Sequence, residues 1–97
     1  MKGAVASVEV FATRGDRPVE RLTLTVTAPE RGTDVAKDVW LCRVALARRH
    51  RPQTLEAADS ISALRAALAL GEGWLAGLAA EGFTLWRDRA ATRPFEL

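Results

Sequence analysis

The sequence DSISALRAALALGEGWLAGLAAEG at residues 59–82 predicts one long helix and decides the fold class. At 3.6 residues per turn, its large apolar residues fall on one stripe about 100° wide. That stripe consists of Ile61, Leu64, Leu68, Leu75 and Leu78. Asp59 can cap the free amides of the first turn, and Gly82 can end the helix. We therefore expect a helix over residues 59–81 that lays this stripe against a sheet.

Two features of this segment leave the shape of the helix open. Each glycine of Gly71-Glu72-Gly73 costs roughly 1 kcal/mol relative to alanine in a helix interior. Gly71 lies on the stripe, where a missing side chain would let the helix approach the sheet, whereas Gly73 lies on the outer face. The three residues could therefore kink the helix or split it in two. A second apolar flank lies beside the stripe and includes Ala63, Ala67, Leu70 and Trp74.

Alternating apolar and polar residues predict strands before the helix. Three strands are expected, at residues 4–13, 19–28 and 38–48, and in each the apolar face consists of even-numbered residues. The second strand carries three threonines on its polar face, which is a strong strand signal. Phe11 is the exception, because this large apolar side chain falls on the polar face of the first strand.

The turn between the first two strands must keep their apolar faces together. A two-residue loop would set Val10 opposite Arg21 and mix the apolar face of one strand with the polar face of the other. A three-residue loop at residues 15–17 instead sets Val10 opposite Leu22. We therefore expect the three-residue loop.

The remaining segments are shorter. Residues 29–37 are expected to form a loop, and residues 48–52 a basic turn. Residues 54–57 fit either a short edge strand or the opening of the helix, and we favour the strand. Residues 83–86, after the helix, are short and rich in residues that favour strands.

The order of these elements predicts the fold class. Three or four strands, a long helix and a closing strand predict an α+β two-layer sandwich, with element order β-β-β-β-α-β. In it, an antiparallel sheet of four to five strands carries the helix across one face. The whole chain, residues 1–97, is expected to form one domain. Residues 88–97 show no periodicity and could form a loosely ordered tail, which Phe95 and Leu97 could pin to the body.

The Trp40-Leu41-Cys42 strand and the helix opening at residues 58–64 resemble a family of small bacterial proteins whose function is not established. In that family a Trp-x-Cys or Trp-x-Pro strand is followed by a helix that opens with Gly-x-Asp and an Ala-Leu pair. Three helix residues match this pattern: Asp59, Ala63 and Leu64. Ala57 stands where the family usually has Gly, and Ser62 where it often has Gln. The resemblance covers roughly residues 38–80 and implies a fold and a bacterial source, but no activity.

Composition limits the kinds of site and compartment that are expected. Cys42 is the single cysteine and His50 the single histidine, which excludes an internal disulfide and a Cys/His zinc site within one chain. No apolar leader opens the chain, and no uninterrupted apolar run is long enough to cross a bilayer. We therefore expect a cytoplasmic protein without membrane contact.

The residues also lack a catalytic constellation. Arg49 and Arg51 flank His50 in a run of polar residues, so we expect a solvated turn residue and not a catalytic base. Cys42 shares a strand face with Trp40, which predicts a buried, inert thiol. The carboxylates are dispersed along the chain. We therefore expect no enzyme activity, no cofactor and no metal.

A candidate protein interface is formed by Leu70, Trp74 and Trp86. Tryptophan is strongly enriched among the residues that dominate binding energy at interfaces. The chain contains 18 alanines, so its core is thin and self-association would stabilise it. These features predict a small accessory protein that acts through protein–protein interaction, as a homodimer or with another protein.

A candidate contact for anions or nucleic acid is formed by Arg48, Arg49 and Arg51. No acidic residue lies between Asp38 and Glu56, so the positive charge of this turn is not offset locally. Binding of nucleic acid through this turn is therefore the alternative function.

Overall fold

The computed structural model describes residues 4–33 and 38–96. Its elements are β1 (Ala4–Thr13), β2 (Glu20–Thr27), β3 (Glu30–Arg31), β4 (Trp40–Leu46), β5 (His50–Ala57), α1 (Ser60–Ala80) and β6 (Thr84–Trp86). All the strand pairings among the described residues are antiparallel, and α1 packs across one face of the sheet. The predicted α+β class, with one antiparallel sheet and one helix, is confirmed.

The sheet is a meander that α1 closes by crossing back over it. β5 pairs along the whole length of β4, so β2 and β3 share the other edge of β4. β1 lies beyond β2, and β6 pairs with the outer edge of β1. α1 therefore carries the chain from the β5 edge to the β6 edge.

The register of β1 against β2 agrees with the one expected from the apolar faces. Val10 lies opposite Leu22 and Val8 opposite Leu24, which confirms the register that the three-residue loop predicts. The even-numbered residues of both strands face α1 and form much of the core. Phe11, on the other face, is nevertheless buried.

Two segments contain more strand than expected, which raises the number of strands in the described part of the chain to six. β3 is only two residues long and lies within the predicted loop at 29–37, of which residues 34–37 lie outside the described part. β5 begins at His50, so the turn before it is shorter than predicted and the strand at 54–57 is longer. Pairing with β4 provides the backbone hydrogen bonds that make both segments strands.

The helix begins and ends where the sequence predicts. The Asp59 carboxylate accepts a hydrogen bond from the Ser62 amide at 2.7 Å, which caps the first turn. Gly82 follows the last turn with a φ of 98°, a left-handed conformation that glycine adopts without steric cost. α1 is continuous from Ser60 to Ala80, so the glycine pair at 71 and 73 does not split it.

The face that α1 buries matches the predicted stripe in the second half of the helix and differs from it in the first half. The buried residues are Ala63, Ala67, Gly71, Leu75 and Leu78. Ile61 and Leu68, both predicted to face the sheet, are 65% and 39% exposed. The prediction followed the large apolar residues, but the first half of α1 turns its small residues inward.

Close packing explains this orientation. A Cβ atom added at Gly71 would lie 3.0 Å from Leu24 Cδ1 and 3.4 Å from Val44 Cγ2. The sheet therefore supplies the bulk of the core, and small residues on α1 let the two backbones approach. Larger inward side chains would overfill this space.

The segment after β6 folds back onto the sheet. Trp86 and Pro94 form an isolated antiparallel bridge, and the Phe95 amide donates to the Leu85 carbonyl at 3.1 Å. Phe95 packs against the core, as the sequence suggested. Leu97, the other residue expected to pin the tail, lies outside the described residues.

α1 also bears on the expectation that no segment could cross a bilayer. By length and composition alone, α1 is long and apolar enough to do so. That expectation considered uninterrupted apolar runs, whereas α1 reaches this composition with two charged residues, Arg65 and Glu72. One face of α1 packs against the sheet, and most of the remainder is exposed.

Candidate functional site

Two basic turns meet at one end of the sheet. β1 and β4 run in the same direction, because each is antiparallel to β2, so the turns that follow them lie at the same end. α1 also ends there, since Thr84 at the start of β6 pairs with Thr13 at the end of β1. We call this region the arginine-rich end. Its arginines are Arg14, Arg17, Arg21, Arg48, Arg49, Arg51 and Arg89, and its carboxylates are Asp16, Glu20 and Glu81.

Phe83 and Glu20 hold the two turns together. The guanidinium carbons of Arg14 and Arg49 lie 5.4 and 4.8 Å from the centroid of the Phe83 ring. Arg49 also donates a hydrogen bond to Glu20 Oε2 at 2.8 Å, and both side chains are partly buried. Arg49, one of the three predicted contact residues, therefore has structural partners on β2 and after α1.

An open pocket of about 460 Å³ lies at the arginine-rich end. Its lining residues are Pro18, Val19, Glu20, Arg21, Arg48 and Arg89. The Arg89 guanidinium lies over the Phe11 ring, 5.4 Å from its centroid, which helps to bury Phe11. Arg21 lies 3.8 Å from the exposed Glu9 carboxylate. The pocket thus opens on the face of the sheet opposite α1, here called the open face.

Of the three arginines that line the pocket, Arg48 differs from Arg21 and Arg89 in its backbone and in having no partner among the described residues. Its φ is 74°, a left-handed conformation that costs a non-glycine residue roughly 1–2 kcal/mol. No ion pair or side-chain hydrogen bond of Arg48 is found among the described residues. Its guanidinium is therefore available for an anion.

The structure separates the three predicted basic residues and adds two others. Arg48 lines the pocket, Arg49 is paired with Glu20, and Arg51 is exposed at the start of β5 outside the pocket lining. Arg21 and Arg89 were not among the predicted contacts. Strand alternation had placed Arg21 on the polar face, but nothing in the irregular tail indicated the position of Arg89.

Leu70, Trp74 and Trp86 do not form one surface. Leu70 and Trp74 lie one turn apart on α1 and are both partly buried against the core. Trp86 lies on the open face, where it pairs with Phe11, and its Nε1 donates to Thr13 Oγ1 at 3.0 Å. The sheet therefore separates Trp86 from the other two residues.

His50 is exposed, as expected, but it lies at the start of a strand and not in a turn. It begins β5, and its ring stacks on the Trp74 indole with centroids 4.4 Å apart. The bulge between Val44 and Leu46 brings His50 opposite Leu46, on the side of β5 that faces α1. Its aromatic partner is therefore on α1.

Cys42 is a buried thiol, as its strand face predicted. It is 1% exposed, and its Sγ donates to the Thr27 carbonyl at 3.2 Å. Burial raises the pKa of the Cys42 thiol, and the contact with Thr27 offsets part of that effect. The reactive thiolate is therefore disfavoured at neutral pH. Within residues 4–33 and 38–96, no group of three or more His, Cys, Asp or Glu side chains could hold a metal.

Comparisons of this chain with protein-family models, curated proteins and solved structures find no match. The resemblance to a family of small bacterial proteins therefore stays a prediction.

Proposed function

We propose that this protein is a small non-enzymatic binding module that contacts nucleic-acid phosphates through its arginine-rich end. The observation that carries the proposal is the pocket, in which the unpaired Arg48 lies with Arg21 and Arg89. Guanidinium groups bind phosphate oxygens through two parallel hydrogen bonds, which a lysine ammonium does not provide.

The charge balance of the pocket favours an anion. Among the described residues of its lining, Glu20 is the one carboxylate, and Arg49 already binds that carboxylate. The contact between Arg21 and Glu9 is long and lies between exposed side chains, so it offsets little of the positive charge. An entering phosphate therefore gains contacts without breaking a strong internal ion pair.

The open face beside the pocket extends this surface. β2 directs Thr23, Thr25 and Thr27 to this face, because their neighbours in sequence point towards α1. Hydroxyl groups, like arginines, commonly contact the nucleic-acid backbone. None of the described residues that line the pocket has an aromatic side chain on which a base could stack. We therefore expect weak, salt-dependent binding of the backbone without sequence preference.

Fluorescence anisotropy with a short, mixed-sequence single-stranded oligonucleotide tests this proposal. Arg48→Ala should weaken binding and lower the slope of log affinity against log salt by about 1. Arg31→Ala is the matched control, because it removes one positive charge near the start of β4, at the opposite end of the sheet. It should leave the salt slope close to that of the wild type.

Two results would reject the proposal. One is the absence of binding at about 50 mM salt, where phosphate contacts are strongest. The other is equal binding by Arg48→Ala and the wild type. If a glutamate-rich peptide bound more tightly than the oligonucleotide, the partner would be an acidic protein instead. Protein association through Leu70 and Trp74 stays a separate prediction, and Trp86 would belong to a different surface.

A further inference from the structure

The outward side of α1 carries an exposed stripe with few charges. It consists of Ile61, Arg65, Leu68, Ala69, Glu72 and Ala76, all of which are exposed. In the described part of the chain, three large hydrophobic side chains are exposed, and two of them belong to this outer stripe. A helix on the surface of a monomer normally directs charged and polar residues to solvent. The composition of the outer stripe is instead typical of a contact surface.

The two charges of the outer stripe indicate what could cover it. Arg65 and Glu72 are the only charged residues of α1, and they lie seven residues apart on the same side. No ion pair of either residue is found within residues 4–33 and 38–96. A complementary surface would therefore place a carboxylate opposite Arg65 and a cation opposite Glu72, at the same spacing.

We propose that a second copy of this chain provides that surface, by packing its α1 antiparallel to the first across a two-fold axis between Leu68 and Ala69. This axis places Arg65 opposite Glu72 of the partner subunit, and the symmetry repeats the ion pair. It also places Ile61 opposite Ala76 of the partner subunit and Leu68 opposite Ala69 of the partner subunit. Each large side chain then meets a small one, which favours close approach of the helices.

Electrostatics favours this arrangement over the parallel one. A parallel pair in register would place Arg65 beside Arg65 and Glu72 beside Glu72, so both contacts would be repulsive. α1 also ends at the arginine-rich end. The antiparallel pair keeps the two arginine-rich ends apart, whereas a parallel pair would bring them together. This inference does not depend on nucleic-acid binding.

Charge reversal tests both the association and its register. Sedimentation velocity over a concentration series should show that the wild type forms a dimer. Arg65→Glu should weaken the dimer by about tenfold, because two attractive contacts become repulsive. Glu72→Arg should have a similar effect, and the double variant Arg65→Glu/Glu72→Arg should restore dimerisation by re-creating both pairs in reverse. Arg43→Glu, exposed on β4, is the charge-matched control and should dimerise like the wild type.

Circular dichroism is the control for folding. We expect every variant to be folded, because Arg65 and Glu72 are both exposed. A wild-type protein that stays monomeric up to millimolar concentration would overturn the proposal. If such a monomer cosedimented with phosphatidylcholine vesicles, a lipid surface would be the occupant. A dimer that the double variant did not restore would overturn the antiparallel register. Loss of nucleic-acid binding with an intact dimer would affect only the function proposed above.

Discussion

The imidazole ring of His50 lies parallel to the indole ring of Trp74, with an interplanar angle of 3° and a centroid distance of 4.4 Å. The pair joins the first residue of β5 to the middle of α1. It links two consecutive elements across the face of the sheet, near the turn that carries Arg48. The tryptophan expected at a protein interface therefore has an internal partner.

Loss of this stack should destabilise the fold without abolishing it. We expect His50→Ala to lower the free energy of unfolding by about 0.5–1.5 kcal/mol, the range for aromatic pairs. His50→Phe, which keeps a flat ring, should retain most of the stability. Urea denaturation, followed by tryptophan fluorescence, measures both variants. Equal stability of His50→Ala and the wild type would show that the stack contributes nothing.

Close packing between α1 and the sheet gives Gly71 and Gly77 opposite responses to alanine. A Cβ at Gly77 meets no atom within 4 Å, so Gly77→Ala should gain about 1 kcal/mol from helix propensity. A Cβ at Gly71 would press on Leu24, and this overpacking costs about 1–3 kcal/mol, which cancels or reverses the same gain. Thermal unfolding of the two variants compares them directly. A Gly71→Ala protein as stable as Gly77→Ala would contradict close packing at this position.

These glycines also show what the sequence could predict. Alternation predicted the pairing of Val10 with Leu22, because a shift of one residue would have reversed every side chain of the strand. In the first half of α1 the buried face differs from the predicted one, because the helix is apolar on nearly all sides and large residues there do not mark the core. Which face of α1 turns inward depends on the space that Leu24 and Val44 leave on the sheet, and both residues are remote from α1 in sequence.

The candidate site was less predictable than the sheet for a similar reason. Arg48 was identified from a local run of basic residues. Arg21 and Arg89 join it only through strand pairing and the folding back of the tail, which no local pattern encodes. The partner of Arg49, Glu20, likewise lies on another strand. The local run of charge therefore identified one lining residue of the pocket, Arg48, but not the residues that complete it.

The left-handed backbone of Arg48 predicts a trade-off between stability and binding. Glycine avoids the steric cost of a positive φ, which is larger than the conformational entropy that glycine loses on folding. Arg48→Gly should therefore raise the free energy of unfolding by about 0.5–1 kcal/mol. The same variant removes the unpaired guanidinium and should weaken oligonucleotide binding. Ala91→Gly, also at a positive φ of 57°, is the matched control. It should gain similar stability in urea denaturation and bind like the wild type; weaker binding by both variants would contradict the assignment to Arg48.

The tail should detach from the sheet in acid because Asp88 holds its turn. The Asp88 carboxylate accepts hydrogen bonds from the Thr92 hydroxyl and from the amides of Thr92 and Arg93. These hydrogen bonds hold the pKa of the Asp88 carboxyl below the ordinary value for aspartate. The bond from the Thr92 hydroxyl contributes most, and the bond from the Arg93 amide is next. Since this pKa is lower in the folded state, Asp88 stabilises the folded tail above the pKa that it has when unfolded. That contribution is lost as the pH falls through the folded pKa.

Trp86 fluorescence measures this loss in a variant with Trp40 and Trp74 replaced by Phe. The fluorescence should show an acid transition that is absent when Asp88→Asn is added. A transition of the same midpoint in both proteins would show that another group controls the tail.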